Sequence, residues 1–416
     1  MGGRCARTLS AWGRGRDWLG LRAACRVRPR LSPVTNAVLA AARQLGPQIR
    51  DRSAEIEALG TLPMDLVDVI RPTGAFRLCV PDDLGGPGVT TVESLEVFEE
   101  FAYHDGSVGW CVAIASTTSL LASYLPDPHA GELFGDPGAI GGGFVMPRGR
   151  AVPVDGGLRV SGRWQWGSGT RHCTTIGGGC LVAGADGQPE PRGDGLAAPF
   201  VFMDPGDIEF IDTWDVAGLA GTGSVDFEAR DVFVPEGRWV QIGAGPVRDN
   251  VWSRFSFYGL LASGVAAAAV GIARRSIDEL VELAGGKRPQ GSSRTLAERA
   301  AAQAEVAEAE ARLAAAWTLL LDAVDDSFQG ALAGRPSTVD ERRRIRLAAT
   351  HATQTAADVA ASMFRTAGGA AVYRTSPIQR CFRDTAVAAQ HAMVAPRTLE
   401  TAGRMRLGLE TDTATL

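Results

Sequence analysis

The chain has no CxxC pair. Its seven cysteines are scattered, and the two nearest, Cys173 and Cys180, have six residues between them. Metal sites of the zinc type need clustered ligands at fixed spacing, so no metal is expected, and the unpaired cysteines fit a reducing, cytoplasmic setting. Positive charge is not in excess: 42 Lys and Arg stand against 47 Asp and Glu, a net charge of -5. A nucleic-acid partner gains no support from that balance. With 45% apolar and 21% charged residues over 416 positions, the composition is that of a soluble globular enzyme of two or three domains. A long apolar run is nearly absent too. Residues 255 to 273 are uncharged for nineteen positions, but six of these are Ala and three are Gly. The run is long enough to span a membrane and too weakly hydrophobic to want one. It reads as a helix buried on all sides, with small residues allowing close helix contacts, and no membrane partner is expected. The glycine-rich GDPGAIGGG, residues 135 to 143, neither follows a clear strand nor opens a helix, so it is not read as a dinucleotide loop.

Residues 1 to 32 differ from the rest, with eight arginines and Asp17 as the only acid. They lack an apolar stretch of signal-peptide length. They read as a disordered Arg-rich extension, left either by an upstream start or as an organelle transit peptide.

What is present falls into three textures. Residues 33 to 138 repeat apolar positions at three- and four-residue spacing, as helices do. Pro63 begins a short helix stopped by Gly74, and Thr91 is placed to cap the helix that follows. Residues 107 to 125 read as an apolar helix. Residues 139 to 245 show short alternating runs parted by Gly, Asp and Pro, a pattern of antiparallel β-structure in a small barrel or sandwich. From 246 to 416 long Ala-rich helices return, one predicted over 293–328 and another from 339 to the glycines at 368 and 369.

One stretch stands out: SGRWQWGSGTRH, residues 161 to 172. Two tryptophans sit where glycines make the backbone loose, as if the chain must come close to a large flat ligand. Trp166-Gly167-Ser168 is followed later by DTWDVAGLAGTGSVDFEARDVFVPEGR, residues 212 to 238, and by AGGAAVYRTSPIQRCFRD, residues 367 to 384. In this order the three patches resemble the acyl-CoA dehydrogenase superfamily over residues 34 to 412. The resemblance implies an α+β, mostly α fold: an N-terminal helical domain, a central antiparallel β-barrel and a C-terminal four-helix bundle. It also implies a flavin cofactor. Trp166, Gly167 and Ser168 would then meet the flavin ring, with Ser168 offering a hydroxyl donor to its N5 edge.

An acyl-CoA dehydrogenase needs a carboxylate base, which in many members follows the Arg-Asp pair. After Arg383-Asp384 this chain reads TAVAAQHAMVAP, with no Glu before Glu400. The family's Thr-Glu-Pro and Gly-Ser-Asp loop is also missing. Gln390-His391 occupies the place, and this is similar to the group D flavin-dependent monooxygenase branch, as are DGSVGW at 105 to 110 and GSSRTLAER at 291 to 299. That branch implies reduced FMN or FAD from a separate flavin reductase, molecular oxygen, a small-molecule substrate and a homotetramer. FAD-dependent dehydrogenation and a non-catalytic scaffold remain the alternatives.

The resemblance also assigns roles. His391 would serve as catalytic and substrate-binding histidine, since imidazole exchanges protons near neutral pH; otherwise it is a bundle histidine bonded to a carbonyl. His172 reaches the flavin or substrate edge, or faces solvent from a loop. Trp110 packs over the ring, or is plain core. Arg288, Arg380 and Arg383 would bind the cofactor's phosphates. Their alternative is ion pairing, Arg383 with Asp384 or Glu400.

Overall fold

The computed structural model describes residues 36–416 apart from 185, 193–194, 197 and 243–244. The Arg-rich extension at 1 to 32 lies outside the described residues. The described residues open with six α-helices, α1 Ala37–Asp51, α2 Ser53–Leu59, α3 Met64–Ile70, α4 Thr91–His104, α5 Gly106–Ser119 and α6 His129–Phe134. Among the described residues nine strands follow: β1 Gly141–Val154, β2 Gly157–Gly167, β3 Thr175–Val182, β4 Pro191–Arg192, β5 Gly195–Leu196, β6 Phe200–Met203, β7 Glu209–Ile211, β8 Val225–Pro235 and β9 Trp239–Val240. Then come α7 Val251–Arg254, α8 Phe257–Gly286, α9 Ala300–Leu332, α10 Val339–Ala367, α11 Pro377–Ala388 and α12 Arg397–Arg406.

Local chemistry sets most helix ends. Thr90, not Thr91, caps α4: its hydroxyl accepts from Glu93 N at 3.2 Å, and the Glu93 carboxylate accepts from Thr90 N at 2.8 Å. Thr91 lies inside the helix and is buried. Asp105 caps α5 by accepting from Ser107 and Val108 amides. The predicted helix over 107–125 ends its α-helical part at Ser119 and tightens into a 3₁₀ turn at Leu120–Tyr124. The helix predicted from 293 starts only at Ala300, because residues 293 to 299 spend their amides on turns such as Leu296 N to Lys287 O.

The uncharged run lies in α8, whose first half is buried almost throughout. A Cβ at Gly271 would come within 2.2 Å of the Glu99 carbonyl, so glycine there is what lets α8 touch α4. With α9, α10 and α11 it forms the C-terminal bundle, and α4 and α5 pack onto the same helix.

The strands do not form the expected antiparallel barrel. Seven of them make one open sheet in the order β7-β8-β2-β1-β3-β6-β9. The sheet is mixed, because β1 and β3 run parallel while the other pairs are antiparallel. A barrel needs its first and last strands to pair. Here the edges are β7 and β9, three and two residues long, and no ladder joins them.

The two tryptophans of the WQW stretch part company. Residues two apart on a strand share a face, but a register shift between Trp164 and Gly167 breaks that rule. Trp164 is fully buried, stacks on Phe227 at 5.2 Å and donates to the Gly179 carbonyl at 2.8 Å. Trp166 takes φ 60° and turns out, 57% exposed, with its ring edge-on to Phe144. A left-handed conformation in an aromatic residue is held at a cost, and such outliers gather at functional sites.

Candidate active site

The sheet meets the helices at the turn that follows β2. Ser168 stands at its start, with Gly169 in a left-handed conformation (φ 69°) donating its amide to the Thr222 carbonyl at 2.8 Å. A Cβ at Gly167 would lie 2.8 Å from the Phe227 ring, so glycine here serves sheet packing. Opposite the turn, the Asp105 cap fixes where α5 begins and so where Trp110 falls on it. The Trp110 indole N–H donates to Ser168 Oγ at 3.0 Å. The other side of that indole meets His391 edge-on, with ring centroids 5.5 Å apart. The fold thus unites Ser168, Trp110 and His391, which lie far apart in the chain.

Ser168 continues into a run of hydroxyls. Its Oγ lies 2.7 Å from Ser224 Oγ, which lies 2.7 Å from Thr222 Oγ1. Thr222 donates to the Leu219 carbonyl at 2.7 Å. A carbonyl has no hydrogen to give, so Thr222 must supply that one. Ser224 then donates to Thr222, and Ser168 donates to Ser224. The expectation of a free donor at Ser168 is corrected by this count: its hydrogen is taken, and it offers an acceptor lone pair instead.

His391 is polarised in the opposite sense. Its Nδ1 accepts from the Met393 amide at 3.3 Å, so the neutral ring carries its hydrogen on Nε2. Its partner is a backbone N–H, not the carbonyl weighed above. Burial pushes its pKa down to about 4, with Arg346 adding to the effect. At neutral pH it is an uncharged ring that donates from Nε2.

The remaining predicted residues spread further out. His172 is buried behind the turn against Phe76, with its Nδ1 unpartnered among the described residues, and burial brings its pKa to about 4. It does not face solvent. Arg288 is exposed between α8 and α9. Arg380 and Arg383 both turn to Glu57 on α2, at 2.9 and 2.6 Å, instead of to Asp384 or Glu400. Arg383 also donates to the Ala217 carbonyl at 2.6 Å. Asp384 instead accepts from the Leu219 amide at 2.6 Å. Burial raises its pKa to about 7, with Asp105 adding to the rise. Helix α11 therefore clamps the loop on which the hydroxyl run ends.

Sequence reasoning missed Thr222, Ser224, Asp384 and Glu57. Thr222 and Ser224 flank Gly223 before β8, where Thr222 ends a 3₁₀ turn and Gly223 takes φ 52°, so a tight turn brings their hydroxyls together. Nothing local marks Glu57, whose partners lie over 320 residues away.

Comparison with known proteins settles the lineage. Family models for the acyl-CoA dehydrogenase N-terminal and C-terminal domains match residues 35–125 and 263–396. The chain is 31% identical to an indole-3-acetate monooxygenase of Pseudomonas putida over 94% of its length and 98% of that protein's. It belongs to the acyl-CoA dehydrogenase family. A second relative, 27% identical, is the oxygenase component of an FADH(2)-dependent resorcinol hydroxylase from a Rhizobium species, matched over 87% of this chain and 91% of that one. The fold of this family member superposes on the 3-HSA hydroxylase from Rhodococcus sp. RHA1 with a TM-score of 0.84, at 27% identity, covering 91% of this chain and 99% of that one. Both family domains fall on helices, and the sheet between them carries the Ser168 turn.

Proposed function

We propose that this protein is the oxygenase component of a two-component flavin-dependent monooxygenase that oxygenates a small aromatic or heterocyclic substrate. The observation that carries this reading is the cluster itself: Ser168 bonded to the Trp110 indole, and His391 packed edge-on against that indole. It holds an imidazole where a dehydrogenase would need a carboxylate. Asp384 is buried and bonded to Leu219, and Glu400 is exposed on α12, so neither supports the dehydrogenase alternative.

The residues present fit a flavin ring. Trp166 offers an exposed aromatic face beside the turn, and Ser168 an open acceptor. Trp110 backs the site and is itself only 7% exposed. Arg288 and Arg380 are the candidates for the cofactor's phosphates. When bound, the reduced flavin of FMN or FAD supplies the electrons for oxygen activation. His391 Nε2–H donates toward the bound substrate or oxygen, orienting it in a water-poor site where such a bond is strong. The neutral ring suits this role, because a charged imidazolium would attract water into the cleft. The relatives' component character supports a separate flavin reductase as partner. We place the protein in a homotetramer; Val372 and Tyr373, 62% and 67% exposed beside α11, support a subunit contact there.

The experiment is an anaerobic titration with reduced FMN and FADH2, then rapid mixing with oxygen in the presence and absence of phenols and indole acids. Substrate-dependent oxygen transfer is expected. Tight binding of oxidised FAD together with bleaching by an acyl-CoA would establish the dehydrogenase instead.

A further inference from the structure

Resting on the flavin reading above, we propose that Thr222 and Ser224 determine which redox state of the flavin this site accepts. They do so by fixing the direction in which the Ser168 hydroxyl points its hydrogen.

The argument is a count. Three close O···O contacts run from Ser168 to Ser224, to Thr222 and to the Leu219 carbonyl, each at 2.7 Å. Contacts so short each need a hydrogen between them. Three hydroxyl hydrogens exist for the three contacts, and the carbonyl end can supply none. The Trp110 indole closes the other end, because it only donates. All three side chains are buried, so water does not relieve the constraint. Ser168 therefore has one vacant lone pair and no hydrogen to spare.

A reduced isoalloxazine presents an N–H at its central ring edge, and the oxidised ring presents a bare nitrogen there. Ser168 can accept from the first. To serve the second it must withdraw its hydrogen from Ser224, and any rearrangement leaves one contact in the run without a hydrogen. The Leu219 carbonyl that anchors the run is itself held. Its residue adopts φ 54°, with the amide bonded to Asp384 and the carbonyl also taking the Trp214 indole at 3.2 Å. The discrimination thus comes from residues behind the serine, which need not touch the cofactor.

The test is anaerobic measurement of the dissociation constants of oxidised and reduced FMN and FAD for the full chain and for Ser224→Ala, Thr222→Val and Ser168→Ala. Breaking the run at Ser224 frees the Ser168 hydrogen. The oxidised form is then expected to bind about tenfold tighter, the worth of one hydrogen bond, with reduced flavin within about threefold of wild type. Thr222→Val, nearly isosteric, lets Ser224 turn back toward Ser168 and gives the same gain. Ser168→Ala is expected to weaken reduced flavin without any gain for the oxidised form. A purely packing role predicts that Ser224→Ala and Thr222→Val weaken both forms together, or leave their ratio unchanged, and either result overturns the proposal. Wild-type protein that oxygenates substrate yet binds both redox states alike overturns this inference alone. Wild-type protein that binds neither state overturns the monooxygenase reading and this proposal with it.

Discussion

Replacing Asp384 by Asn is expected to stabilise the protein, and increasingly so as pH rises. Asp384 is buried, and its Oδ1 accepts from Leu219 N at 2.6 Å, a bond that an Asn side-chain carbonyl reproduces. Burial raises its pKa from 3.8 to about 7, Asp105 reinforces the rise, and the Leu219 amide, Arg383 and Arg380 oppose it. The sign follows from proton counting. Between pH 3.8 and about 7 the unfolded chain releases this proton while the folded chain keeps it, so folding loses stability as pH rises through that window. Above it both states are ionised and the loss stays constant. The whole gap corresponds to roughly 4 kcal/mol, and the part falling between pH 5 and pH 8 to roughly 2–3 kcal/mol. Asn does not titrate, so the variant escapes the loss. Its extra N–H₂ finds room on the cavity of about 240 Å³ that Asp384 lines with Asp105, Tyr103, Arg50 and Arg275. The assay is equilibrium urea unfolding of both proteins at one concentration from pH 5 to pH 8. The stability difference should grow in the variant's favour across that range, by about 2–3 kcal/mol. A difference that stays flat with pH, or a variant weaker throughout, would show that the carboxyl is ionised and well paired when folded, contrary to the reasoning.

Four further outcomes follow from the same geometry. His391→Ala should keep flavin affinity within about threefold and lower turnover by roughly 100-fold or more, as loss of a positioned proton donor does; and because its pKa lies near 4, the wild-type rate should show no inflection near pH 6.5 that the variant abolishes. Trp164→Ala should cost about 3–5 kcal/mol of stability, as loss of a large core aromatic does. Trp166→Ala, an exposed neighbour two residues on, should cost less than about 1 kcal/mol while weakening flavin binding, both read by thermal unfolding and titration. Glu57→Gln should destabilise by roughly 1–3 kcal/mol, because it leaves Arg380 and Arg383 without their shared carboxylate; an unchanged melting temperature would mean that the two guanidiniums find other partners.

The parts of this molecule that were legible in the sequence are those written locally. Helical periodicity places α10 within a residue or two and the start of α8, though α8 runs on past the uncharged stretch to Gly286, and the cap of α4 falls on Thr90, one residue before the Thr91 that the sequence singled out. Trp166-Gly167-Ser168 reads as a site because tryptophan beside glycine is a local contradiction. What stayed hidden is written at long range. Whether β7 pairs with β9 depends on two strands separated by 27 residues and on their brevity, neither of which alternation reveals. The WQW stretch misleads in an instructive way: strand alternation puts both indoles on one face, and only a register shift and one left-handed residue send Trp166 outward.

The hydroxyl run shows why chemistry can outlast the resemblance that points to it. Family likeness picks out Ser168 and gives it a hydrogen to donate. The fold takes that hydrogen away, because direction in a chain of hydroxyls is set by whichever end cannot reverse. Here both ends are irreversible: an indole N–H at Trp110 and a backbone carbonyl at Leu219. The serine's polarity is therefore a property of the link between α5 and the 219–224 loop, and that loop is in turn fastened by Asp384 and Arg383 from α11. A site that accepts at Ser168 and donates at His391 Nε2 has two fixed and opposite polarities on either side of Trp110. Fixing them in the folded protein spares the reorganisation that water would otherwise have to perform at each turnover. Helix α11 buries Gln379, Asp384 and Thr385, and through Asp384 and Arg383 it holds the loop on which the hydroxyl run ends.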